Sequence, residues 1–279
     1  GKRLLFSGDI GRKNDLLLYP PLKPKKADFL FIESTYGGKI HPEEIETIPK
    51  IEQLINETIS QGGSVFIPSF SVERAQLMML ILWKLSKEGR IPKVPMIMDS
   101  PMGTDVLKLF YSTRDWHKLE ESDFLDMCSS FIIVSEYKET LELRKDNKPK
   151  IVIAGSGMLT GGRMLNYLEL QATNPKNLLI FVGFQAEGTR GRKLLDGERE
   201  IKIYGQSITF NMNIVEVEGL SAHADQVELI DWLSKIKKPP QKVFIVHGEE
   251  ESALAFQEKL QQTKNWNSEI PTLFSTIDL

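Results

Sequence analysis

Short apolar, β-branched runs recur along most of this 279-residue chain, each breaking into glycine, serine or an acid before a segment of helical period. This alternation constrains the fold more than any other feature. A strand that is apolar throughout needs cover on both faces, and the segments between such strands supply helices, so a mostly parallel sheet flanked by helices is expected. Strands are predicted at 2–6, 27–32, 64–68, 94–98, 131–134, 150–153, 178–182 and 243–246. A helix is predicted over 43–60, with Ile45, Ile48, Ile51, Leu54, Ile55 and Ile59 on one face, and another over 71–88. Val227, Leu229, Ile230, Leu233 and Ile236 recur at helical spacing with Trp232 among them, and the basic turn up to Pro240 ends that helix. The strand-then-helix pattern is expected to hold as far as about Glu218.

Composition narrows the class. The length suffices for one large core or two smaller ones. No apolar run is long enough to cross a bilayer, and no basic-then-apolar leader suggests export, so no membrane partner is expected. Cys128 is the single cysteine, which excludes an internal disulfide and a thiolate zinc cluster and fits a reducing cytoplasm. With a net charge of −3, a polyanionic substrate would have to be met by a local basic cleft.

Polar residues at strand ends are the candidates for chemistry. Open parallel sheets place their sites at the carboxyl ends of the strands. Asp9, in Ser7-Gly8-Asp9-Ile10-Gly11, is a carboxylate in a glycine turn, well suited to hold a metal. Glu33 closes an apolar strand, where a buried acid needs a partner. His223 lies among small residues just before a helix, and His247 directly after Val243-Phe244-Ile245-Val246. His41 is expected in a solvated loop, His117 in a polar connector without a role, and 143–150 in a solvated loop. Each histidine pair member also has an ordinary reading as a cap or turn residue. Two glycine-rich turns, at Gly155-Ser156-Gly157 and at Gly188-Thr189-Arg190-Gly191-Arg192-Lys193, point backbone N–H groups and basic side chains at a phosphate. A dinucleotide site fits poorly: the third fingerprint glycine falls on Thr160, and the next strand ends in Gly183 instead of an acid.

Together, Ser7-Gly8-Asp9, Phe31-Ile32-Glu33-Ser34-Thr35-Tyr36-Gly37, Ile67-Pro68-Ser69-Phe70-Ser71 with Arg74-Ala75-Gln76, Ser221-Ala222-His223-Ala224-Asp225 and Val246-His247-Gly248-Glu249 resemble the ordered motifs of β-CASP nucleases. These form the RNA-processing branch of the metallo-β-lactamase fold. The resemblance implies an α/β architecture with a β-CASP domain at 37–217, inserted in the C-terminal part of a metallo-β-lactamase fold contributing 1–36 and 218–279. A histidine instead of a valine at the third characteristic motif is the pattern of the RNA-cutting members.

Carried over residue by residue, the resemblance implies that Asp9 bridges two zinc ions and His247 ligates one of them. It implies that Glu33 is the acid that orients His223, and that His223 carries the proton to the leaving oxygen. Substrate contacts are expected from Ser69, Ser71, Arg74, Ser156, Gly157, Arg190, Arg192 and Ser221, gripping the RNA backbone at a cleft. The family's H-x-H-x-D-H string does not occur in these residues. Asp9 and His247 would therefore be half of a metal site, and the chain alone is expected to be inactive. Expected partners are RNA, the N-terminal half of the same fold and, for the assembled protein, a second copy. The alternative is a non-catalytic RNA-binding or scaffold subunit.

Overall fold

The computed structural model describes residues 1–42 and 44–277. Glu43, the expected start of the first helix, lies outside the described residues, as does the side chain of Ile45. Two compact units are present: one of residues 1–15, 19–41 and 222–279, the other of residues 16–18 and 42–221.

In the first unit, β1 (Leu4–Phe6), β2 (Phe29–Glu33), β11 (Lys242–Val246) and β12 (Ser268–Glu269) form one sheet in the order β1-β2-β11-β12, with parallel neighbours throughout. Alternation along β2 and β11 sends Leu30, Ile32, Val243 and Ile245 into a core with Leu229, Leu233, Phe256 and Leu260. Those last four come from α8 (Gln226–Trp232), the turn after it, and α9 (Glu250–Lys264). Each fully buried aliphatic side chain contributes roughly 1.5–3 kcal/mol. Helix α9 was not expected. Its buried residues are only Ala253, Phe256 and Leu260, too thin an apolar stripe to stand out from a charged background.

The second unit holds a six-stranded sheet. In chain order its elements are α1 (Glu44–Ser60), β3 (Val65–Pro68), α2 (Arg74–Lys87), β4 (Met96–Asp99), α3 (Pro101–Ser112), α4 (Glu121–Ser129), β5 (Ile132–Val134), α5 (Tyr137–Leu143), β6 (Ile151–Ala154), α6 (Met164–Gln171), β7 (Leu178–Phe181), α7 (Arg190–Leu195), β8 (Glu200–Ile203), β9 (Gln206–Thr209) and β10 (Asn213–Glu216). The sheet order is β10-β7-β3-β6-β4-β5, with all neighbours parallel. Strands β3, β4, β6 and β7 are buried along their whole length, as covered parallel strands must be. One apolar core lies with α2 and another with α6. Helix α2 is buried nearly all round, from Arg74 to Leu85, which fits its lack of a polar face.

The strand-then-helix expectation fails at 200–209. There β8 and β9 form an antiparallel hairpin. Its cause is local: Ile201 and Ile203 are buried while Glu200 and Lys202 are exposed, a period of two. The two-residue turn is Tyr204-Gly205, both at positive φ. His117 also differs from its expected place in a polar connector. It is 4% exposed, its ring stacks on Phe110 with centroids 5.3 Å apart, and its Nε2 donates to the Phe110 carbonyl at 2.9 Å. Among the described residues no helix is long and apolar enough to cross a membrane.

Candidate metal centre

Parallel pairing decides which polar residues meet. Phe6 is opposite Phe31, and Val246 is opposite Glu33, so β1, β2 and β11 end at one edge of their sheet. Asp9 follows β1, Glu33 ends β2 and His247 follows β11; three residues far apart in sequence thus arrive at one place. The fourth, His223, arrives through a backbone bridge to Gly11 and a hydrogen bond from Ala224 N to the Ile10 carbonyl at 2.7 Å.

The residues around His223 explain its aim. Ala224 is fully buried in the core, and Asp225 caps α8 by accepting from Glu228 N at 2.9 Å. Glu228 Oε2 accepts in return from Asp225 N at 3.1 Å and also from Arg12 Nε at 2.8 Å. With its neighbours held on both sides, His223 donates from Nδ1 to Glu33 Oε2 at 2.9 Å. Glu33 is 1% exposed and also accepts a short hydrogen bond from Ile10 N through Oε1. The buried acid therefore has the partners that its position at a strand end requires.

His247 sits at φ 52°, a left-handed conformation uncommon for a residue with a side chain. Its carbonyl accepts from Ser34 N at 3.2 Å and from Thr35 Oγ1 at 3.1 Å, which secures that conformation. The next residue must be glycine, since a Cβ at Gly248 would lie 2.4 Å from Ser34 Oγ and 2.7 Å from the Ser34 carbonyl oxygen. The imidazole is then presented with Nδ1 3.6 Å from Asp9 Oδ1, and its ring centre is 5.7 Å from that of His223. Donor atoms of Asp9, His223 and His247 all lie within 4.8 Å of one another. Asp9 and His247 are largely open to solvent. A carboxylate and imidazoles at this separation suit zinc, and a catalytic zinc takes about three protein donors.

His41, expected in a solvated loop, is half-buried beside this group. Its backbone N–H donates to Asp225 Oδ2 at 3.0 Å, its Nε2 lies 3.1 Å from the His223 carbonyl, and its ring packs 4.5 Å from Tyr36. Burial, followed by the charge of Arg12, holds its pKa below the usual histidine value. A neutral ring donating to that carbonyl buttresses the His223 loop. Nothing in the local pattern of apolar residues could have flagged it.

The expected substrate residues fall into two sets. Ser69, Ser71 and Ser156 line one cavity in the second unit, at the carboxyl ends of β3 and β6, with Ser100 following β4. Ser71 Oγ is 3.0 Å from Ser100 Oγ, and Ser156 Oγ accepts from Thr160 N at 3.1 Å. Arg74, Gly157, Arg190, Arg192 and Ser221 do not line that cavity. Arg74 is 5% exposed with Glu73 Oε2 at 3.8 Å, and Ser221 is also buried. At Gly157 a Cβ would meet the Phe70 ring at 2.8 Å. Arg190 donates to the carbonyls of Lys202 at 2.8 Å and Leu159 at 3.0 Å, and Arg192 pairs with Asp196 at 2.9 Å. Both guanidinium groups thus serve local structure. Sequence reading missed Arg163, Tyr137 and Asn166 in the cavity wall, which only the convergence of three strand ends brings together.

The Beta-Casp domain family matches residues 75–194, and the family described as Zn-dependent metallo-hydrolase RNA specificity domain matches residues 207–271. Among curated relatives, Ribonuclease TTHA0252 of Thermus thermophilus is 36% identical over 91% of this chain and 59% of its own length. The RNase J-like protein of Methanocaldococcus jannaschii is 34% identical over 94% of this chain and 62% of its own. The transcription termination factor FttA of the same organism is 33% identical over 96% of this chain and 44% of its own. The chain thus spans between 44% and 62% of the length of these relatives.

Proposed function

We propose that this chain, which belongs to the β-CASP family of metallo-β-lactamase-type RNA nucleases, carries the proton-transfer pair and part of the metal site of a zinc-dependent ribonuclease. Residues 37–217 would be the β-CASP domain, and the flanks the metallo-β-lactamase fold. The observation that supports this most is the hydrogen bond between buried Glu33 and His223, with Asp9 and His247 beside it. A purely structural acid–histidine pair has no need of two further solvent-open donors 3.6 Å apart.

Asp9 and His247 would hold the metal. Zinc, when bound, would supply a nucleophilic water usable near neutral pH and positive charge for the phosphoryl oxygens. The chain's own residues do the rest. Glu33 fixes a proton on His223 Nδ1 and the plane of the ring and stabilises the imidazolium form, in which Nε2 also carries a proton. That Nε2 proton is the one handed to the departing ribose oxygen, leaving the neutral Nδ1–H ring. Left-handed His247, locked by Ser34 and Thr35, keeps its donor in place without rearrangement. Ser69, Ser71 and Ser156 would contact RNA from the cavity they line.

The test is cleavage of a labelled single-stranded RNA by the complete gene product, with and without zinc. His223→Ala is expected to lower the rate by about 10²–10⁴-fold, the usual worth of a positioned acid. Undiminished cleavage in both His223→Ala and Asp9→Asn would sink the reading. A second reading is a non-catalytic RNA-binding or scaffold subunit, which would use the serine-lined cavity and not the metal group. It predicts RNA binding with no zinc-dependent products.

A further inference from the structure

The cavity in the second unit has a volume of ≈ 710 Å³, and its walls are apolar to a degree that a phosphate site has no use for. Phe70, Met102, Tyr137 and Tyr204 surround it and are each between 45% and 63% exposed. Large side chains so open to water around one concavity mark a binding surface. Its polar lining is Ser69, Ser71, Ser100, Ser156, Asn166 and Arg163. Ser69 is 1% exposed and its Oγ has no hydrogen-bond partner. Asn166 is 3% exposed and accepts from the Tyr137 hydroxyl at 2.8 Å, which fixes the tyrosine ring.

Arg163, the cationic side chain of this wall, is already engaged. It donates to Thr140 Oγ1 and the Ser135 carbonyl, and its guanidinium lies 5.0 Å from the centre of the Tyr137 ring. It stiffens that ring and is not free to clamp a phosphate. Tyr204 adds an independent sign. It occupies the first position of the two-residue turn between β8 and β9 at φ 50°, ahead of Gly205 at φ 81°. Asparagine or glycine suits that position, and a bulky side chain is disfavoured there. The turn keeps an aromatic ring at the cavity mouth in spite of that cost.

We propose that this cavity is a nucleobase subsite. One unstacked base of a single-stranded RNA enters it, lies against the Tyr137 and Tyr204 rings, and meets the unpartnered Ser69 hydroxyl with a polar edge. Planar faces on aromatic walls with few polar groups at depth are how single-stranded bases are held. The subsite rests on RNA being the ligand of this chain, as proposed above, and adds to it a grip on a base where the expected contacts were to the backbone.

The experiment measures equilibrium binding of the full chain to a fluorescent single-stranded RNA, and to the same RNA with abasic residues that keep every phosphate. Tyr204→Ala and Tyr137→Ala are each expected to weaken the intact RNA roughly tenfold, the scale of one lost stacking contact. Tyr137→Phe, which keeps the ring but loses its bond to Asn166, should weaken intact RNA far less than Tyr137→Ala does. Abasic RNA should bind more weakly than intact RNA and should not respond to either alanine substitution. Photocrosslinks from 4-thiouridine RNA should fall on peptides containing Met102, Tyr137 or Tyr204. Equal binding of intact and abasic RNA, unaffected by Tyr204→Ala at a surface hairpin tip, overturns the subsite and leaves the nuclease reading standing. No binding of either RNA overturns both. Saturable binding of nucleoside monophosphates that is lost in Tyr204→Ala, with no base effect on RNA, overturns the RNA subsite in favour of a free nucleotide.

Discussion

Replacing Glu33 separates what the acid does for stability from what it does for His223. The carboxylate is 1% exposed and accepts from Ile10 N and from His223 Nδ1. In Glu33→Ala the Ile10 N–H loses its acceptor in a buried place, at about 1–3 kcal/mol, and the imidazole loses a charge-assisted bond of about the same size. His223 keeps partial solvent access, which returns some of that second loss. A net destabilisation of about 2–4 kcal/mol is expected, read as a shift in the denaturation midpoint at constant m-value. Glu33→Gln should behave differently. Its amide oxygen can still accept from Ile10 N, so stability should fall by only about 1 kcal/mol. Its amide NH₂ would face Nδ1 as a donor, however, and would force the proton onto Nε2. Nitrogen-15 NMR of the histidine rings reads this directly: Nδ1–H in the wild type, Nε2–H in Glu33→Gln. Wild-type stability in Glu33→Ala, together with an unchanged His223 tautomer in Glu33→Gln, would refute the claim that Glu33 orients this ring.

Three further outcomes follow from the geometry. The chain should take up at most one weakly held zinc, held by Asp9 and His247, with His247→Ala abolishing uptake in metal analysis; two tightly held ions per chain would contradict this. Gly248→Ala should destabilise by about 1–3 kcal/mol by chemical denaturation, because the new methyl lands on Ser34 Oγ and on its backbone carbonyl, and the backbone cannot give way cheaply. Burial pushes the Cys128 thiol up from 9.0 to about 11. At pH 8 the folded chain should therefore react with iodoacetamide roughly a hundredfold more slowly than the unfolded chain, and equal rates would show the thiol to be open.

Much of this protein is written in local pattern. Four-residue apolar runs such as Val65–Pro68 and Ile151–Ala154 can satisfy their backbone and bury both faces only as interior strands of a parallel sheet, so the sheet was legible without coordinates. The strand-end positions of Asp9, Glu33 and His247 were legible for the same reason, since the run that precedes each one is a strand. Their meeting was not. It depends on register, Phe6 against Phe31 and Val246 against Glu33, and the second of these pairs segments more than two hundred residues apart. Burial redistributed roles in the same way. Arg190 and Arg192 look like a phosphate grip as a string of charges, but in three dimensions the nearest acceptors are the carbonyls of Lys202 and Leu159 and the carboxylate of Asp196. His41 and His117 carry no local signature, because their partners are the His223 and Phe110 carbonyls, which only packing brings within reach. A side chain's identity follows from the sequence, but which polar atom it faces is a property of long-range packing, and for this chain packing decided which donors stayed free for chemistry.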